Sequence, residues 1–155
     1  MDFLTKMMFI NNIDNNINVV QLIYCSNARV GRNCKTIKQN ISNIVNQSRI
    51  RNPSYNITGA LLSDGKFFAQ VVEGPPNSVR QLYSNIVYDK RHANVILLQY
   101  VVINVRLFHR WPMAYVDVDE LSHVDKLSIQ STPAELRKAC VSILKSFRAV
   151  LLDET

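Results

Sequence analysis

The periods of apolar and polar positions change along the chain in a way that marks out its elements. Val19 to Cys25 is a short β-branched and aromatic run followed by the polar stretch Ser26 to Asn33, the pattern of a buried strand and its end. Ile37, Ile41, Ile44 and Val45 fall at i, i+4, i+7 and i+8, which predicts an amphipathic helix. Arg51-Asn52-Pro53 closes that helix, because proline pushes its predecessor out of the helical region. Ile57 to Leu62 and Lys66 to Glu73 then flank Ser63-Asp64-Gly65, where the Asp-Gly pair suits a hairpin turn. After the break at Gly74-Pro75-Pro76, Asn77 is the expected cap of a second helix carrying Val79, Leu82, Tyr83, Ile86 and Val87 on one side. Val95 to Val105 and Trp111 to Val118 predict two further strands, and the capping box Thr132-Pro133-Ala134-Glu135 opens a last helix, Ala134 to Leu152. Its stripe of Leu136, Cys140, Ile143, Phe147 and Leu151 is expected to pack on the sheet face opposite the first two helices, or on another subunit.

Strand, helix, strand, strand, helix, strand is the split βαβ order. The expected fold is therefore α+β: a ferredoxin-like βαββαβ sandwich with a fifth strand and a C-terminal helical extension. Residues 1–17 read as a flexible leader, with five asparagines between Asn11 and Asn18; residues 18–118 form the domain and 119–155 a helical tail.

Composition narrows the class. With 47% hydrophobic and 19% charged residues among 155, neither a disordered nor a fibrous chain fits. The net charge of +6 is spread without any run of five like charges, so it gives little reason to expect nucleic-acid binding. Cys25, Cys34 and Cys140 are far apart and form no CxxC or Cys/His cluster, against a disulfide framework or metal site. Asp2 and Lys6 interrupt the first apolar stretch, no cleavage site follows, and no window nears the roughly 18 apolar residues of a membrane span. A cytoplasmic protein without a membrane segment is expected.

The residue that a core does not explain is Gln70. By the period of two, Phe68, Gln70 and Val72 share one strand face while Phe67, Ala69 and Val71 share the other, so the amide is flanked by apolar neighbours either way. A buried amide left unpaired costs about 1–3 kcal/mol per group, so a polar partner is required. Leu22 and Tyr24 share a face of the first strand, which should lie beside the third at the sheet centre, and Tyr24 is the expected partner. Asn52 closes the first helix beside the same face, and Trp111 and Met113, two residues apart, are expected to point the same way from the fifth strand. Singly, these are a core pair, a turn former, a core filler and a gap filler. Together they outline a cavity.

Those residues resemble the BLUF family of flavin-binding blue-light sensors. Leu22-Ile23-Tyr24-Cys25-Ser26 is similar to the family's opening strand, and Arg51-Asn52-Pro53 with Ile57-Thr58-Gly59 to its helix-to-strand junction. Phe68-Ala69-Gln70-Val71-Val72-Glu73-Gly74 resembles its glutamine strand, Asp89-Lys90-Arg91-His92 the end of its second helix, and Arg106 to Met113 its arginine, phenylalanine, tryptophan, methionine signature. Five motifs in register over residues 19 to 118 are more specific than any one. Two departures, Ala69 for a larger apolar residue and Val72 for leucine, affect packing rather than the polar pair.

The resemblance implies a photoreceptor and not an enzyme, with FAD as cofactor and FMN or riboflavin as alternatives. It makes Tyr24 the electron donor to the excited flavin and Gln70 the bridge between phenol and ring. It sets Asn52 on the ring's carbonyl edge, Arg51 in contact with the flavin, Arg91 and His92 on the far side, and Trp111 and Met113 as the pair of which one or the other lies next to the flavin and relays the change to the sheet edge. The 37 residues after Val118 are too few for a catalytic output domain, so output is expected through a downstream partner, response-regulator-like or a transcriptional regulator, and the chain itself is expected to form a homo-oligomer. No direct contact with nucleic acid or membrane is implied. Three rivals share the topology. Against an RNA-recognition module, this chain lacks the glycine that the module's aromatic strand motif has after the lysine, here Lys66; an acylphosphatase-type hydrolase leaves Tyr24, Gln70 and Trp111 unexplained, and a flavin-free BLUF-like interaction module would be colourless.

Overall fold

The structure, a computed structural model, describes residues 19–117. The leader and the capped helix at Ala134 to Leu152 lie outside the described residues. The elements are β1 (Val20–Ala28), α1 (Cys34–Arg51), a single 3-10 turn (Asn52–Tyr55), β2 (Thr58–Ser63), β3 (Phe67–Gly74), α2 (Pro76–Tyr88), β4 (His92–Val102) and β5 (Ala114–Asp117). They form one sheet in the order β4-β1-β3-β2-β5, antiparallel throughout except that β5 runs parallel to β2. β1 and β3 are its central neighbours, paired from Val20 opposite Gly74 to Asn27 opposite Phe67. This is the α+β, ferredoxin-like arrangement that the order of elements implies.

Both helices cover one face. Under α1, Ile41 and Val45 pack on Val30, Leu61, Phe68 and Met113. Under α2, Val79, Tyr83 and Ile86 pack on Val20, Leu22, Tyr24 and Val72. The opposite, outer face holds Ile23, Cys25, Ala60, Leu62, Phe67, Ala69 and Val71, with Phe108 buried among them and Trp111 packed against them. Sheet residues thus feed two cores, and the helix-side core is divided between α1 and α2.

Boundaries shift where pairing or capping overrides local pattern. β1 continues through Ser26 and Asn27 because they complete ladder positions opposite Phe68 and Phe67. α1 is capped by Asn33, whose side chain accepts the Thr36 N–H at 2.9 Å, a bond of about 1 kcal/mol. α2 starts at Pro76 rather than after Asn77, since proline in the first turn lacks an N–H that would have no helical partner. Asn77 instead accepts from Arg80 inside the helix. Asp64 orders the hairpin by accepting the Lys66 and Phe67 N–H groups at 2.8 and 3.1 Å, with Gly65 at φ +87°.

β4 lies at the sheet edge, and its register against β1 shifts twice, between Ile23 and Tyr24 and between Cys25 and Asn27. Asn94, inside the second shift, takes the left-handed φ of 51°, as a β-bulge residue does. At the other side of the sheet, a Cβ on Gly59 would stand 2.1 Å from the Val71 carbonyl oxygen, so only glycine fits where β2 crowds β3.

Candidate functional site

A cleft between α1 and α2, lined by Ser48, Asn52, Leu82 and Asn85 among others, lies on the helix side of the sheet, on whose central strands Tyr24 and Gln70 are cross-strand partners. Tyr24 is fully buried and Gln70 is 7% exposed, and the phenol donates a short hydrogen bond to Gln70 Oε1. Burial above all, with Tyr83, Asp89 and Cys25 nearby, raises the Tyr24 pKa well above its ordinary value, so the phenol keeps its proton. Tyr83 and His92 each place a ring centroid 5.9 Å from that of Tyr24. The amide's other end is equally engaged: Gln70 Nε2 lies 3.6 Å from Met113 Sδ. Its second N–H has no partner among the described residues.

Met113 owes its position to two backbone anchors. Asn52, buried as the first residue of the 3-10 turn, donates Nδ2–H to the Pro112 carbonyl at 2.7 Å, and Arg49 Nε–H meets the Met113 carbonyl at 3.0 Å. Asn52 keeps its Oδ1 and second N–H unused among the described residues, although only 3% of the residue is exposed. Trp111 does not join this group. The expectation that Trp111 and Met113 point the same way fails because residues 111–113 precede β5 and are not extended strand. Instead the chain rounds the sheet edge there. Trp111, its carbonyl held by the Gly59 N–H at 3.0 Å, packs edge-on to Phe108 on the outer face, while Met113 enters the helix-side core.

His92 begins β4 beside the same cleft. Its Nδ1 lies 2.8 Å from Ser26 Oγ and its ring centroid 4.8 Å from that of Phe68. Burial drives the His92 pKa down to about 4, which keeps the imidazole neutral at physiological pH. Arg91 grips the Asp89 carboxylate through Nε and Nη2, the latter at 2.7 Å, and reaches Gln47 of α1 through Nη1 at 3.3 Å. It therefore spans from the end of α2 to α1 across the cleft mouth. Burial pushes the Asp89 carboxyl up, but the hydrogen bonds and charge of Arg91 outweigh it and the net shift is downward.

Arg51, at the end of α1, lines a crevice of about 80 Å³ together with Asn52, Tyr55, Leu82 and Asn85. That is small beside the roughly 300–1,000 Å³ of ligand pockets, so a ring system enters only if α1 and α2 part or their polar side chains swing aside. A larger groove of about 620 Å³, between α1 and β5, contains none of these residues. The structure thus brings Tyr24, Gln70 and Met113 together with His92 beside the Tyr24 ring, puts Arg51 and Asn52 on the crevice between the helices and Arg91 against Gln47 of α1, and leaves Trp111 on the outer face. Ser26 and Arg49 were missed. Ser26 follows Tyr24 by two residues on the same face, a signal the sequence did carry, whereas Arg49 binds a backbone carbonyl and leaves no sequence trace.

Chemically, the site offers an oxidisable phenol with an attached proton acceptor, and two amides with spare donors and an acceptor. Its neutral imidazole adds no charge. No group of three or more His, Cys, Asp or Glu suited to a metal occurs among the described residues, and none of their helices is long and apolar enough to cross a membrane.

Proteins similar to this chain include light-regulated ones. The chain is 35% identical over 97 residues to the "blue light- and temperature-regulated antirepressor BluF" of Escherichia coli and covers 23% of that protein. It is 33% identical over 93 residues to the photoactivated adenylate cyclase subunit alpha of Euglena gracilis, covering 9% of it. The chain thus spans less than a quarter of the length of these curated relatives. Among solved structures, the dark state of BlrB, a BLUF protein, superposes with a TM-score of 0.65 at 30% identity, covering 81% of this chain and 97% of that one. The profile of the family described as "Sensors of blue-light using FAD" matches residues 19–114, the whole sheet up to the start of β5, and the chain belongs to this BLUF family.

Proposed function

We propose that this chain is a blue-light photoreceptor that holds FAD in the cleft between α1 and α2 and reports illumination to a partner protein. The observation that carries the reading is the buried Tyr24–Gln70–Met113 chain of contacts, with amide groups on Asn52 and Gln70 that no described residue takes up. Those groups fit a flavin's carbonyl and ring-nitrogen edge, which needs donors and an acceptor in a dry site. Asn52 and Gln70 would hold that edge, with Arg51 and Arg91 at the rim and His92 beside the ring. A flavin bound there supplies the absorption of blue light and, once excited, accepts one electron.

The protein's own part follows from the hydrogen bonds. An oxidised phenol is a strong acid, so when Tyr24 gives up an electron its proton moves along the existing bond to Gln70 Oε1. Holding that proton on Oε1, Gln70 would release one from Nε2 to the ring-nitrogen edge it holds, where the electron went, and so exchange donor and acceptor ends as a tautomer, or return it and rotate. Either change alters what Nε2 offers to Met113 Sδ, and the loop before β5 receives the signal. Burial keeps water from replacing these partners. The partner is a response-regulator-like protein or a transcriptional regulator, in keeping with the word antirepressor in the name of the E. coli relative.

The test is direct. Purified full chain should be yellow, release FAD on denaturation, and show a red-shifted flavin absorption under blue light that decays in the dark. Colourless protein that takes up neither FAD, FMN nor riboflavin would overturn the reading and leave the flavin-free interaction module. Pull-down in dark and light then identifies the partner.

A further inference from the structure

Glu73 is completely buried, yet it faces away from the cleft. It follows Gln70 by three residues on β3, so its carboxyl group projects from the outer face on which Phe67, Ala69 and Val71 also stand. Three N–H groups converge on it. Oε1 accepts from Gln21 Nε2 at 3.0 Å and from the Leu107 backbone N–H at 2.9 Å, and Oε2 accepts from the Phe108 backbone N–H at 3.0 Å. Gln21 in turn accepts from Gln99 Nε2 at 3.1 Å, which extends the polar line from β4 across β1 to β3. Successive backbone N–H groups aimed at one carboxylate form a small anion-binding nest.

The nest lies in the loop that delivers Met113. From Phe108 the chain turns through Trp111, whose N–H bonds the Phe108 carbonyl at 3.0 Å, rounds the sheet edge beside Gly59, and ends at Met113 against Gln70. Arg106 adds a hold on Thr58 Oγ1 at 3.1 Å. One strand, β3, therefore grips the loop at both ends, with Glu73 on the outer face and Gln70 on the cleft face.

We propose that Glu73 is a positioning residue for the light response: by holding the Leu107 and Phe108 N–H groups it fixes the loop so that Met113 meets Gln70, and it is the point where rearrangement in the cleft becomes a change on the outer face. The proposal rests on the flavin-sensor reading. Glutamine cannot replace the carboxylate here, because its NH₂ would confront an N–H donor in place of an acceptor oxygen.

The test uses the full FAD-loaded chain and compares wild type with Glu73→Gln, and with Gln21→Met, which removes one donor but leaves the loop bonds and is the milder variant if the first fails to fold. In wild type, amide exchange at Leu107 and Phe108 should be slow in the dark and change by about tenfold or more under blue light. In Glu73→Gln the red shift should persist, since Tyr24 and Gln70 are untouched, while dark exchange at those two amides rises about tenfold or more and thermal recovery of the dark spectrum changes several-fold. Gln21→Met should move recovery the same way by a smaller factor. A normal red shift in wild type with loop amides indifferent to light, or with recovery unchanged in whichever variants fold, overturns the proposal while leaving the sensor reading standing. Absence of any red shift in wild type removes the sensor reading and the proposal with it.

Discussion

Replacing Tyr24 by phenylalanine removes one buried oxygen and leaves the ring to pack against Tyr83 and His92 as before. The lost atom is the sole described donor to Gln70 Oε1, in a pair whose exposures are 0% and 7%. An acceptor stranded there costs about 1–3 kcal/mol, and Gln70→Leu strands the phenol O–H at a similar cost. Removing both leaves two apolar groups in an apolar setting. The double variant should therefore be less destabilised than the sum of the singles, by a coupling of about 1–2 kcal/mol. Urea unfolding of the four proteins reads this coupling directly. The same Tyr24→Phe protein should bind FAD and stay yellow but show no red-shifted state, because phenylalanine supplies neither the electron nor the proton. Additive stabilities would show that the two side chains do not meet, and a normal light-minus-dark spectrum would refute Tyr24 as the donor.

Gln70→Leu should also keep its colour and lose the spectral shift; a preserved shift moves the switch to another residue. Asn52→Ala frees the Pro112 carbonyl and removes one amide from the cleft, so at about 1–3 kcal/mol FAD should dissociate roughly 5- to 150-fold more readily, measured by flavin fluorescence on dilution. For His92 the folded pKa of about 4 lies below the ordinary histidine value of 6.5, so the unfolded chain binds the proton more readily. Its contribution to stability is complete above about pH 6.5 and falls away toward pH 4, by about 3 kcal/mol, and His92→Gln should flatten that part of the curve in denaturant unfolding at pH 7 and pH 4.5.

Periodicity located the helices and the hairpin well because each buries one continuous stripe, as Ile41 and Val45 or Val79, Tyr83 and Ile86 do. The face shared by Tyr24 and Gln70 was legible for the same reason, since both sit inside regular strands where alternation holds. Trp111 and Met113 were not, because the two-residue rule was applied to a turn. The apolar pattern predicts a strand from Trp111, but the Gly59 N–H and the Asn52 amide take the Trp111 and Pro112 carbonyls and bend the chain round the edge. Glu73 escaped notice as a polar residue at a strand end, where a solvated carboxylate is the ordinary reading. Only the return of residues 107 and 108 from far along the chain buries it.

The bulged edge at β4 bears on how the protein behaves at the concentrations that spectroscopy and crystallisation need. A straight eleven-residue border strand carrying exposed Val101 and Val102 would be an adhesive template for a second molecule. Two register shifts and the left-handed Asn94 interrupt its row of backbone groups, so a neighbouring strand finds only short stretches to zip against. Asn94→Val would strain that backbone, favour a regular strand there, and offer a neighbouring molecule a longer row of groups to pair with.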